Sequence, residues 1–145
     1  MTFFSSGDNQ FLTFAAESVA TVAATWNLHR RLRGCDVVWF IDNEAAAAAT
    51  IRGASREDDV NDFVQVAHLM WMYLGVRVWI EWVDSESNPS DGLSRLGLQD
   101  PWTVDQGWIL SEALQPPWGG APGNPDAMWA EVRRHWDTEV AANIG

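Results

Sequence analysis

The chain has 145 residues, 47% of them hydrophobic, which suits one domain with a real core plus an appendage and excludes disorder over most of its length. Its formal charge is −11, and all nine basic residues are arginine. A protein that works by neutralising phosphates is normally basic, so composition favours a chain that does not bind nucleic acid; the alternative is that divalent metal and a basic neighbour carry that burden.

Cys35 is the single cysteine. It permits no internal disulfide and has no thiol partner for a metal, as expected in a reducing, intracellular setting, cytoplasm or nucleus. The N-terminus carries no basic segment and no long apolar run, so neither a signal peptide nor a membrane span is expected.

Residues 1–10 hold Phe3–Phe4 and a turn-like Ser5–Ser6–Gly7–Asp8 cluster. From Phe11 to Leu32 the pattern is helical, with Leu12, Ala15, Ala16, Val19, Val22, Ala23 and Trp26 on one stripe. Glu17 heads a second row, Ala20, Ala24 and Leu28, whose small residues predict close packing against a sheet with the acid aimed at its edge. Arg30, Arg31, Arg33 and Gly34 suit a helix C-terminus. Val37 to Ile41 is a continuous apolar run and predicts a strand buried on both faces. Asp42 follows at its carboxyl end, where open α/β sheets usually meet ligands.

Asn43 is placed to cap a helix Glu44–Arg52 that Gly53 stops. Ser55 with Asp58 resembles a capping box opening an amphipathic helix to Leu74, with Gly75 beyond. Val76 to Val83 predicts a second strand with one core face and one mixed face. Asn88 is a candidate N-cap, with Pro89 at the first helical position and Asp91 in the first turn. Past Leu98, prolines, glycines and tryptophans mark a loop-rich tail closed by one short helix, Pro125 to Ala142. Some of the chain's ten tryptophans fall there, where burial is not expected. His29, His68 and His135 lack metal-ligand spacing, and His68 is expected to face solvent.

Glu17, Asp42 and Asp91 stand out by position. Parallel strands joined through helices bring such ends to one edge of a sheet, and clustered carboxylates call for a cation such as Mg²⁺ or Mn²⁺. Two such ions can stabilise both the attacking and the leaving oxygen in phosphodiester hydrolysis. Each acid also has a plainer reading: Asp42 as a cap, Asp91 as a complement to the helix dipole, Glu17 as a partner of an arginine.

Three segments carry a resemblance: Phe14–Ala15–Ala16–Glu17–Ser18, then Phe40–Ile41–Asp42–Asn43–Glu44–Ala45–Ala46, then Trp82 through Asn88–Pro89–Ser90–Asp91–Gly92–Leu93–Ser94–Arg95. Together they resemble the ribonuclease H-like domain that follows the reverse transcriptase in retroelements, over about residues 11–97. The resemblance implies an α/β fold with a mixed sheet flanked by helices, and cleavage of the RNA strand of RNA–DNA hybrids with two Mg²⁺. It implies that Glu17, Asp42 and Asp91 are catalytic and metal-binding, and that Asn43, Asn88 and Arg95 contact substrate. Residues 1–97 are then a ribonuclease H-like domain lacking its first strands, and 98–145 a Pro/Gly/Trp-rich tail.

The family's first acid, which bridges both metals, has no counterpart: Asp8 is the one acid upstream of Glu17 and lies too close to its helix. Weak metal binding and little activity in the isolated chain are therefore expected. The implied partners are nucleic acid, preferably an RNA–DNA hybrid, and an upstream reverse-transcriptase portion; no membrane is implied. Loss of the strand beside Val37–Ile41 would leave an apolar edge open to self-association, unless the N-terminal segment or the tail covers it. The competing expectation is a non-catalytic remnant acting as a structural or interaction module.

Overall fold

The computed structural model describes residues 9–107, 113–117 and 124–144, without the side chains of 9–15, 91, 94 and 144. Helix α1 (Asn9–Leu32) leads into strand β1 (Asp36–Ile41). Helices α2 (Glu44–Arg52) and α3 (Asp58–Leu74) carry the chain to strand β2 (Arg77–Trp82). The strands pair in parallel, from Asp36 beside Arg77 to Ile41 beside Trp82. Helices α4 (Asp91–Leu96), α5 (Pro101–Asp105) and α6 (Pro125–Ile144) follow, with 3-10 turns at Ser85–Ser87 and Gly97–Gln99. The fold is α/β; antiparallel strands that would make the sheet mixed are not among the described residues. No helix among them is long and apolar enough to cross a membrane.

The β1–α2–α3–β2 segment follows from local chemistry. Asn43 is extended, and its side chain accepts from Ala46 N, which satisfies one orphan donor of α2. Gly53, at φ 72°, closes the helix by donating to Ala49 O, a conformation a side chain would strain. Helix α3 ends the same way at Gly75, but its start differs from the expected capping box. Glu57 occupies the cap position with no side-chain bond. Ser55 lies outside it: its hydroxyl accepts from Glu57 N, and its own N–H donates to Asn61 Oδ1.

One face of the sheet carries the core. Val22 of α1 packs with Val66, Ala67, Met70, Trp71 and Leu74 of α3, joined by Val37, Trp39, Val78 and Ile80 of the strands. The opposite face is open, with Val38 57%, Phe40 61% and Trp79 65% exposed. The expectation that Val37–Ile41 is buried on both faces is therefore wrong. Side chains alternate across a strand, and no described element lies over the second face.

The buried line of α1 also departs from the predicted stripe. Val22 is buried as expected, but Val19 is exposed, and Ser18, Thr21 and Thr25 are buried beside Val22. Hydroxyls survive there because they bond their own helix: Thr21 Oγ1 donates to Glu17 O and Thr25 Oγ1 to Thr21 O. Thr25 Oγ1 then accepts from the buried Trp71 indole. His68 does not face solvent either. Its Nε2 lies 2.6 Å from Thr50 O, and its ring is tilted against Trp71.

The terminal helix is longer than expected and belongs to the core. Met128, Val132 and Trp136 of α6 are fully buried in the main cluster, between α1 and α3. Trp136 stacks on Trp26 and His29, and Glu139 ties α6 to His29 and Arg30 of α1. The expected 98–145 tail therefore contributes a core layer, although residues 108–112 and 118–123 lie outside the described set.

Candidate functional site

The site is built at the carboxyl end of β1. Ile41 is buried with Ala46 and Ala47, which fixes the strand end against the first turns of α2. Val83 N donates to Ile41 O at 3.0 Å, so pairing continues one residue beyond β2. Asp42 then leaves the sheet. Because Asn43 caps α2, the plainer reading of Asp42 as that cap is excluded.

The Asp42 carboxylate faces Glu17, which α1 carries one turn before the buried Thr21. The Asp42 carboxylate is near enough to Glu17 to favour its protonated form through a hydrogen bond. Burial, that hydrogen bond and the Asp42 charge, in that order, push the Glu17 pKa up to about 7. No arginine among the described residues acts on Glu17, which removes its plainer reading as an ion-pair partner.

A third side chain arrives from the segment after β2. Asn88 Nδ2 donates to Asp42 Oδ2 at 3.0 Å, across 46 residues. The other end of that amide accepts from Ser90 N and Ser90 Oγ. The loop before it is closed by Asp84, which accepts from Ser87 N and Ser87 Oγ. These bonds correct the expected helix start. Asn88 is not the N-cap and Pro89 is not the first helical residue; α4 begins at Asp91, after Ser90, because the Asn88 amide is already committed on both sides.

Asp91 opens α4, but its side chain lies outside the described residues. Arg95 is exposed in the last turn of that helix. Asn43, expected to touch substrate, has its side-chain oxygen engaged in capping. Two contacts escaped sequence reasoning. One is the Asn88–Asp42 bond, whose signal is the Asn-Pro-Ser run after a strand. The other is Gly92 against the buried Asp100 carboxylate, where an added Cβ would collide with both carboxyl oxygens. Asp100 itself caps α5 through Thr103 N and Thr103 Oγ1.

Among the described residues no three His, Cys, Asp or Glu side chains converge on one point. The donor set that does converge is Glu17 with Asp42. Two carboxyl groups held close together, oxygen donors only, suit a hard cation, which would replace the shared proton. They are half of the four that the resemblance implies. Comparison with protein-family models, curated proteins and solved structures finds no match.

Proposed function

We propose that the chain is a ribonuclease H-like domain of retroelement origin, whose chemistry is metal-dependent hydrolysis of the RNA strand of an RNA–DNA hybrid. The observation that carries this reading is the Glu17–Asp42 pair. A helix acid and a strand-end acid, 25 positions apart in the chain, lie near enough at the end of a parallel strand for Asp42 to raise the Glu17 pKa. Asn88, from the segment of closest resemblance, is bonded to that same Asp42.

In this reading Glu17 and Asp42 are the residues that would hold Mg²⁺ or Mn²⁺, and Asn88 keeps the Asp42 carboxylate turned toward Glu17. A bound divalent ion supplies polarisation of the phosphodiester and of the attacking water. Asp91 is proposed as a third ligand from the motif alone, and Asn43 and Arg95 as substrate contacts on the same ground. Residues 1–145 taken alone offer two neighbouring carboxyl groups for the ion, so metal binding by them is weak and turnover slow. The upstream reverse-transcriptase portion is the proposed source of the basic surface that a −11 chain does not supply.

Incubation of the chain with an RNA–DNA hybrid in Mg²⁺ and in Mn²⁺, with Asp42→Asn as control, tests the proposal. Cleavage of the RNA strand that Asp42→Asn abolishes supports it. No cleavage, or cleavage indifferent to that substitution, overturns it in favour of a non-catalytic interaction module. The open apolar sheet face, with Val38, Phe40 and Trp79 exposed, is the observation that favours this second reading.

A further inference from the structure

The outer edge of β2 has a backbone and a side-chain pattern that match themselves. Arg77 N donates to Cys35 O and Val83 N to Ile41 O, so residues 77, 79, 81 and 83 turn their amides toward β1. Val78 and Ile80 therefore turn theirs outward, and no backbone among the described residues pairs with that edge. Unpaired strand edges of this kind template pairing with another chain.

Beside the edge lies a mostly apolar cavity of about 350 Å³, lined in part by Ile51, Trp71, Met72, Val78 and Ile80. Ile51 and Met72 are 62% and 77% exposed at its rim. Two copies of β2 laid antiparallel with Trp79 on the two-fold axis would place each Val78 opposite the other copy's Ile80. Those residues have both amide and carbonyl outward, so each such pair forms two hydrogen bonds, four in all. On the open face, each Arg77 would then stand opposite the other copy's Glu81.

Charge selects that register. Within one chain Arg77 already pairs with Asp36, so each outer row would read Asp36, Arg77, then Glu81 of the second copy, with alternating sign. Shifting the axis by one residue sets Trp79 opposite Glu81 and leaves Arg77 facing Val83. The free edge of β1, whose outward amides belong to residues 36, 38 and 40, offers no such match: an axis through Trp39 sets Asp36 opposite Asp42, and one through Val38 sets it opposite Phe40. We infer that the chain forms a homodimer through antiparallel pairing of its β2 edges about Trp79, giving a four-stranded sheet. The partner's Val78 and Ile80 side chains enter the apolar cavity, and a Val38–Trp79–Trp79–Val38 stripe crosses the open face. This does not depend on the chemistry proposed for the carboxylate pair.

Sedimentation equilibrium over a range of concentrations, with Cys35→Ser as background, tests the inference. Dimers are expected, with Glu81→Arg weakening association by about tenfold or more as like charges meet twice. The double reversal Arg77→Glu with Glu81→Arg restores it, and far-ultraviolet circular dichroism checks that each variant is folded. Trp79→Cys should cross-link on mild oxidation, because facing non-hydrogen-bonded residues have Cα atoms about 4.5 Å apart, within disulfide range. A monomer at all concentrations overturns the inference. So does a dimer indifferent to Glu81→Arg, or one cross-linked by Val38→Cys and not by Trp79→Cys, which would place the interface at the β1 edge.

Discussion

Glu17 sits where its charge is poorly tolerated, half-buried on α1 with a second carboxylate against it. Its folded pKa of about 7 lies above the ordinary 4.5. Between those values the folded chain keeps a proton that the unfolded chain has released, so stability falls as pH rises through that window. Below 4.5 the contribution is fully present, and above 7 it is gone. Because the group is partly exposed, the loss is about 1–2 kcal/mol, less than the full shift converts to. Asp62, raised first by burial and then by the charges of Asp58 and Asp59, contributes a slope of the same sign, so the comparison with Glu17→Gln isolates the pair. That variant keeps a donor to Asp42 and should flatten the slope between pH 4.5 and 7. Thermal unfolding in a chelator reads this directly; equal slopes in both proteins would refute a shared proton. Asn88→Ala removes the third member, with its bond to Asp42 and the two it accepts from Ser90, and should leave the fold intact at a cost of about 1–2 kcal/mol, because the Ser90 bonds are exposed. If the carboxylate pair is the reactive site, it should also lower hybrid cleavage.

At the scale of elements, the signals that were legible were the short-range ones. Asn43, Gly53 and Gly75 mark helix ends because each acts within a few residues of itself, and the structure uses all three. Asn43→Ala should cost about 1 kcal/mol through the lost bond to Ala46 N, and more than Asn43→Asp, as read by denaturant midpoints. The burial of β1 was not legible, because an apolar run looks alike whether its second face is covered or open. Val38 and Phe40 have the composition of interior residues and the exposure of surface ones. Nor was the polar burial of α1 legible, since Thr21 and Thr25 count as polar until their hydroxyls are bonded within the helix. In the candidate site, the meeting of Glu17 and Asp42 could be anticipated from a helix acid and a strand-end acid. The Asn88 bond could not, because an Asn followed by Pro has the local chemistry of a helix N-cap, and its reach to Asp42 depends on how the segment after β2 folds back. Gly92 shows the same limit, since its proximity to Asp100 depends on how α4 meets α5. Gly92→Ala should destabilise that corner and weaken the Asp100 cap on Thr103, visible as faster amide exchange in α5.

At the scale of the whole molecule, the long-range docking of α6 decides where the domain ends. The composition of residues 98–125 suggests a tail, yet the helix beyond it returns across more than 100 positions to place Glu139 on His29 and Arg30. Local composition carries no trace of such a return; it depends on Trp26, His29, Tyr73 and Trp129 forming an aromatic nest around Trp136. That nest makes a sharp prediction. Trp136→Ala empties a fully buried site and should cost about 3–5 kcal/mol, a large fraction of a small domain's stability. Trp136→Phe should cost far less, because the indole N–H has no partner among the described residues, so its removal forfeits no hydrogen bond. Ending the chain at residue 97 removes Met128, Val132 and Trp136 together and leaves Val22, Met70 and Leu74 facing water along one side. Such a fragment should retain helical circular dichroism while losing near-ultraviolet signal and gaining binding of a hydrophobic dye, as a compact state without fixed packing does. A fragment of residues 1–97 that unfolds as cooperatively and at the same temperature as the full chain would show that α6 is an appendage after all, and that the core closes without it.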